Sequence, residues 1–408
     1  MNKSSISTLC LLVSSILVIS GCTTGAIKCT LKGEVMDRPQ SSRVILYKQS
    51  EDPRIHAIDI PIVNGKFEYV LNCEHEERYE LVFNDDFESG SFMPVSFFSE
   101  RGVINFVLYP TDRFNENKIN GGKLTREYWD YFSKVLNVNK AVENAFNAYL
   151  EDNYSEILNK HGALKKDFNE KLRLLNKDGI NVSSALKSIS DSTYREFDIW
   201  QLQYIKENST IVGYSILLST AGSLVQRNRI FQETNDISPY ADLYRTIYAP
   251  KFPDHPYSEQ MEDLFAGSSI KAGVPFVDFT AVDLTGKPVK LSERITGKPA
   301  VLHLWASWCG PCRKKGKELI PVYEEFRDKG FVVIGVAREK HVSTAEVAIQ
   351  LDKYPWENLV ELKDAGKIWE KYGIDNSGGG VFLIDQNGII VAGDPSIEDI
   401  RSFLVDKL

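Results

Sequence analysis

The stretch Trp308-Cys309-Gly310-Pro311-Cys312 constrains this chain more than any other. An apolar run (Ala300, Val301, Leu302, Leu304, Trp305) leads into it, and a helical pattern from Arg313 to Arg327 leaves it. That order makes a strand-to-helix junction with two cysteines at its corner. Cysteines separated by two residues can close a small disulfide ring or open to a dithiol. At a helix start the unpaired backbone N–H groups and the helix dipole favour a thiolate, so the first cysteine's pKa falls. Such a pair suits thiol–disulfide exchange. Half a zinc site and a structural disulfide are the rival readings, and the zinc site needs a second ligand pair. No other close Cys or His pair occurs, and the six histidines are scattered. No metal and no cofactor are therefore expected.

Around this junction the chain divides by pattern. Residues 28–112 read as a small β-sandwich of about seven strands. The runs Val44 to Tyr47, Ile58 to Val63, Phe67 to Leu71, Tyr79 to Phe83 and Val103 to Tyr109 are rich in β-branched and aromatic residues, with weaker runs near Leu31 and Phe92. Asn64-Gly65 between two of them is a strong hairpin signal. Residues 113–267 turn helical. Trp129, Phe132, Leu136 and then Val142, Phe146, Leu150 repeat at helical spacing, a second helix is expected over Tyr154 to Lys177, and Tyr194, Phe197, Trp200 and Tyr204 make a third stripe. Pro250, Pro253 and Pro256 interrupt that pattern. Residues 268–408 alternate strand and helix: a hairpin over Thr285-Gly286, the strand and helix around the cysteines, a strand from Phe331 to Ala337, a helix from Thr344 to Asp352, a loop through Trp356, a helix from Ala365 to Tyr372, a hairpin over Gln386-Asn387-Gly388 and a closing helix from Ser396. The fold class is thus multidomain: an α/β unit at the C-terminus behind a β-sandwich and an all-α linker domain.

The N-terminus reads as a targeting segment. Lys3 precedes an apolar run, Leu11 to Ile19, too short to span a bilayer comfortably. Ile19-Ser20-Gly21-Cys22 resembles a bacterial lipobox, which makes residues 1–21 a signal peptide, Cys22 the lipidated residue and 22–27 an anchor linker. The expected location is the cell envelope, lipid-anchored and facing the periplasm, with the outer membrane favoured by Thr23. Net charge is −8 without a basic stripe, which argues against nucleic acid as a partner. Export leaves Cys29, Cys73, Cys309 and Cys312 in an oxidising compartment. An even count fits a redox pair plus a structural disulfide Cys29–Cys73, or two free thiols.

Residues 272–408 resemble thioredoxin-fold proteins of the TlpA/ResA-like, redoxin type. The resemblance rests on Gly273-Val274-Pro275-Phe276-Val277-Asp278-Phe279, Gly297-Lys298-Pro299, Leu304 through Arg313, and Phe382-Leu383-Ile384-Asp385 with Asn387-Gly388. It implies that exposed Cys309 attacks a substrate disulfide and that Cys312, more buried, resolves the mixed disulfide. Trp308 would shape a peptide groove and Pro311 tune the redox poise. His303 stands where many relatives carry a buried acid, so it is a candidate for proton transfer. Gly379 stands where the family places a cis-proline, so a trans or mobile glycine loop (Gly378-Gly379-Gly380) is expected there. The implied partners are disulfide-bearing or dithiol envelope proteins, a membrane electron donor, and the membrane itself through the lipid. Two other readings compete. A thiol peroxidase would carry threonine where Ala306 stands, and a scaffold lipoprotein would use the fold only for docking.

Overall fold

In the computed structural model, residues 26–90, 93–231, 233–376 and 378–408 are described. Cys22 and the segment before it lie outside them, as does Phe92.

The N-terminal unit is built from β1 (Ile27–Val35), β2 (Arg43–Lys48), β3 (Ile58–Pro61), β4 (Lys66–Cys73), β5 (Arg78–Phe83), β6 (Val95–Phe98), β7 (Gly102–Leu108) and β8 (Lys118–Asn120). They form two four-stranded sheets, β4-β1-β7-β8 and β3-β2-β5-β6. Alternating inward residues, among them Leu31, Val44, Leu46, Phe67, Leu81, Phe97 and Phe106, close the core between the sheets. β8 lies past residue 112 and pairs with β7, so the sandwich reaches further along the chain than its pattern suggested. Asn64 and Gly65 both adopt positive φ (51° and 71°), as a tight primed turn requires. Only Val63 and Lys66 bridge across it, because β3 and β4 then part into different sheets. Two short helices decorate the sandwich, α1 (Pro53–His56) and α2 (Asn84–Ser89). Asp52 caps α1, its carboxylate accepting the Arg54 N–H.

The helical unit comprises α3 (Lys123–Lys160), α4 (Phe168–Lys177), α5 (Ser183–Glu207), α6 (Ile211–Phe231), α7 (Ser238–Leu243), a π-helical turn (Tyr244–Tyr248), α8 (Ala249–Lys251) and α9 (Pro256–Ser268). The helix expected over Tyr154 to Lys177 is instead the end of α3, bent at Tyr154 (φ −134°), followed by a loop and α4. Pro256 opens α9 at its first turn, where a missing N–H costs nothing.

The C-terminal unit contains β9 (Thr280–Asp283), β10 (Pro288–Lys290), α10 (Ser292–Ile295), β11 (Ala300–Trp305), α11 (Gly310–Phe326), β12 (Val332–Glu339), α12 (Val342–Asp352), β13 (Glu357–Leu362), α13 (Ile368–Lys371), β14 (Gly380–Ile384), β15 (Ile390–Gly393) and α14 (Ile397–Lys407). One seven-stranded mixed sheet runs β10-β9-β13-β12-β11-β14-β15. Buried residues of α11, α12 and α14 cover one face, and those of α10 and α13 the other. β11 is an interior strand, parallel to β12 and antiparallel to β14, so its C-terminal end is fixed from both sides. β13 occupies the stretch where the sequence pattern gave a loop; Glu357, Asn358 and Glu361 interrupt its apolar alternation and hide it. Conversely, the helix expected over Ala365 to Tyr372 shrinks to α13.

The three units meet through specific contacts. Tyr257 Oη accepts the Arg78 N–H at 2.7 Å, joining helical unit and sandwich. Gly267 of α9 sits backbone to backbone on Gly373, where an added Cβ would stand 2.5 Å from the Glu370 carbonyl oxygen. Among the described residues no helix is long and apolar enough to cross a membrane.

Candidate functional site

The site forms where β11 hands over to α11. Cys309 is the N-cap residue of α11, and its Sγ receives the Cys312 backbone N–H at 3.3 Å. This side chain therefore faces the free N–H groups and the positive end of a 17-residue helix. Cys309 and Cys312 are joined as a disulfide with Cα atoms 5.3 Å apart. Pro311 stands in the first helical turn, where its fixed φ fits.

Neighbours pin the loop before the helix. Glu339 at the end of β12 accepts the Ser307 N–H at 2.6 Å. Arg313 donates to the Ser307 carbonyl and grips Asp352 with two hydrogen bonds, at 2.6 and 3.0 Å. That ion pair holds the Asp352 carboxyl below its ordinary pKa. Glu339 and Asp352 did not stand out in the sequence, each being one charge among neighbouring charges.

His303 is 1% exposed and lies directly beneath the helix start. Its Nε2 is 3.1 Å from the Cys312 carbonyl oxygen. A carbonyl only accepts, so Nε2 carries the proton and the bare Nδ1 has no partner. Burial pushes the imidazole pKa down to about 4. The ring is thus neutral near pH 7 and aimed at the main chain of Cys312. Gly316 makes room for this arrangement: a Cβ there would meet the Tyr354 hydroxyl at 2.6 Å and His303 at 2.8 Å.

Gly379 faces the cysteines from the loop before β14. An added Cβ would come within 1.9 Å of the Leu304 carbonyl oxygen and 3.2 Å of Cys312 Sγ. No cis peptide bond occurs among the described residues. Buried Trp369 donates its indole N–H to the Gly378 carbonyl at 2.7 Å and anchors the loop from α13. Its place in a short helical stretch gave no hint of this.

One expectation is reversed. Cys309 is only 5% exposed, while Cys312 is the more open of the two. Trp308 in turn is covered from another part of the chain: the Arg54 guanidinium of α1 lies 3.6 Å from its ring centroid. For Cys29 and Cys73 the structure has the second of the two alternatives: they are free thiols and not the disulfide. The β1–β4 register sets Cys29 opposite Leu71 and Cys73 opposite Ile27, so the two are diagonal, not directly paired.

Comparison with known proteins gives a consistent picture. Residues 272–392 match the AhpC/TSA family. The thiol-disulfide oxidoreductase ResA of Bacillus thuringiensis subsp. konkukian is 29% identical over 132 residues, 31% of this chain and 73% of that protein. ResA of Bacillus subtilis is 31% identical over 87 residues, 21% of this chain and 46% of the relative. Among solved structures, the thioredoxin domain of a thiol-disulfide oxidoreductase from Bacteroides vulgatus is 31% identical, with 34% of this chain and 98% of that one covered and a TM-score of 0.31. The C-terminal region, with a close cysteine pair at a helix start and this similarity to ResA, is that of a TlpA/ResA-like, redoxin-type thiol–disulfide oxidoreductase.

Proposed function

We propose that the protein exchanges disulfides with protein substrates in the cell envelope through Cys309 and Cys312, working mainly as a reductant. The observation that carries this reading is the position of Cys309 as helix N-cap, with its sulfur on the Cys312 N–H. In the reduced pair the Cys309 thiolate attacks one sulfur of a substrate disulfide. That S–S bond breaks, a Cys309–substrate bond forms, and the other substrate sulfur leaves as a thiolate that takes up a proton. Cys312 then loses its proton and attacks Cys309 Sγ. The mixed disulfide breaks, the substrate departs as a dithiol, and the two electrons have passed from the pair to the substrate. Pro311 stiffens the turn between the sulfurs, and Trp308 and Gly379 border the place where substrate backbone approaches. His303, neutral and fixed on the Cys312 carbonyl, serves position more than proton transfer. A membrane dithiol donor restores the pair, and lipidated Cys22 holds the protein at the membrane, the outer one by the sequence signal.

Trapping tests this. Cys312→Ser expressed in the native host is expected to accumulate mixed disulfides through Cys309, released by dithiothreitol. The same variant yielding no captured protein, together with no reduction of a model protein disulfide by the parent chain, would defeat the reading. Peroxide consumption exceeding disulfide reduction would favour the peroxidase alternative.

A further inference from the structure

The 50–56 segment of the sandwich reaches the cysteine site through several polar contacts. Arg54 stacks on Trp308 and donates from Nη1 to the Asn376 carbonyl at 3.2 Å and to Asp52 Oδ1 at 3.0 Å. Asn376 in turn donates to the Ser50 carbonyl at 3.2 Å, and His56 Nε2 lies 3.0 Å from Asp364. Asn376 precedes the glycine loop, so Arg54 touches both borders of the site, the residue before Cys309 and the approach to Gly379.

The set that holds the guanidinium has a definite chemistry. It consists of an aromatic face, a carboxylate and a carbonyl oxygen, all complementary to a cation. The carboxylate is fixed independently of Arg54. Asp52 is fully buried, caps α1 through the Arg54 backbone N–H, and lies 3.6 Å from Arg338 Nη1. The Arg54 side chain is 32% exposed, so solvent reaches it beside these contacts. A cavity of about 890 Å³ between the three units borders Arg54; carboxylates (Glu51, Glu77, Asp364) and cations (Lys48, Arg338, Lys367) both line it, and it has the room for a displaced guanidinium. The acceptor set would remain behind, open, beside Cys309.

We propose that Arg54 is an internal pseudosubstrate, and that the Trp308–Asp52–Asn376 set it fills is a subsite for a basic side chain next to the disulfide of the substrate. The inference rests on the exchange chemistry proposed above. It makes the sandwich a contributor to substrate selection: Arg54 competes with an incoming arginine or lysine for these contacts, whereas a neutral neighbour of the disulfide draws nothing from them.

The test uses the full chain, pre-reduced, and two short disulfide peptides that differ only in an arginine or a citrulline beside the cysteine. Single-turnover rates are read at about 0.5 M NaCl, where long-range charge effects are screened. Iodoacetamide labelling of Cys309, read by peptide mass, reports access without any exchange. Arg54→Ala is expected to speed labelling and both peptides by about threefold or more, and to raise the arginine-to-citrulline rate ratio about fivefold over the parent. Arg54→Lys, which keeps the cation, should stay near the parent and shows that a folded chain responds to charge. Unchanged rates in a folded Arg54→Ala chain overturn the proposal. An equal gain for both peptides overturns the subsite while leaving exchange intact. Faster labelling with neither peptide reduced brings down the exchange reading and the subsite with it.

Discussion

The two cysteine pairs of this chain differ in almost everything except their chemistry. Cys309 and Cys312 are three positions apart and bonded at the start of a helix. Cys29 and Cys73 lie on neighbouring strands and are free. Burial pushes the Cys29 thiol up to about 11, and that of Cys73 up as well. The strand pair sits within a sheet and not at a helix N-cap, and the two residues are diagonal in register. A thiol becomes useful through what surrounds it: oriented N–H groups make a thiolate, whereas an apolar core makes an inert small hydrophobe.

The largest expected contrast is in activity. Cys309→Ser should lower disulfide reduction by about a thousandfold or more, with thermal stability nearly unchanged. Cys29→Ser should do the opposite. An insulin-reduction assay beside a thermal melt separates them, and equal activity losses would erase the distinction between the pairs.

A second contrast lies in pH dependence. His303 has a folded pKa of about 4 against about 6.5 when unfolded. Below the unfolded value the unfolded chain binds a proton that the native chain refuses. Stability is therefore complete above about pH 6.5 and falls as pH drops towards 4, by up to about 3 kcal/mol for this residue alone. His303→Gln removes this contribution, so the variant's unfolding free energy should fall less over that window. Parallel losses in the two chains would show that the imidazole is not held neutral.

The third prediction concerns the loop facing the bonded pair. Gly379→Ala places a methyl 1.9 Å from the Leu304 carbonyl oxygen. Chemical denaturation should show a loss of about 2 kcal/mol, with exchange slowed as the loop shifts. The smallest effect belongs to the strand pair: Cys29→Ser buries a hydroxyl in an apolar core at a cost of about 1 kcal/mol, with exchange rates within about twofold of the parent.

Much of the C-terminal unit was legible because its signals are local. The junction from Ala300 to Arg327 carries period, turn and cap within one stretch, and the hairpins before and after it carry glycine turns. β13 was hidden because half its positions are polar, yet Glu361 is buried there with its pKa raised to about 7. The diagonal offset of Cys29 and Cys73 depends on strand register, which composition does not encode. Arg54 was out of reach for the same reason: its partner Asn376 is 322 positions away. Residues that build chemistry locally announce themselves, whereas residues that arrive from another unit do so only when the chain is folded.

The seat between Gly267 and Gly373 has an evolutionary consequence. Neither position tolerates a side chain while the other backbone stays where it is, since a Cβ on Gly373 would stand 2.6 Å from the Gly267 carbonyl oxygen. The two glycines should therefore be inherited together, as a signature of this three-part architecture. A related chain that keeps the cysteine motif but has lost either glycine will have joined its helical unit in another way, and its sandwich will no longer present an arginine to the tryptophan.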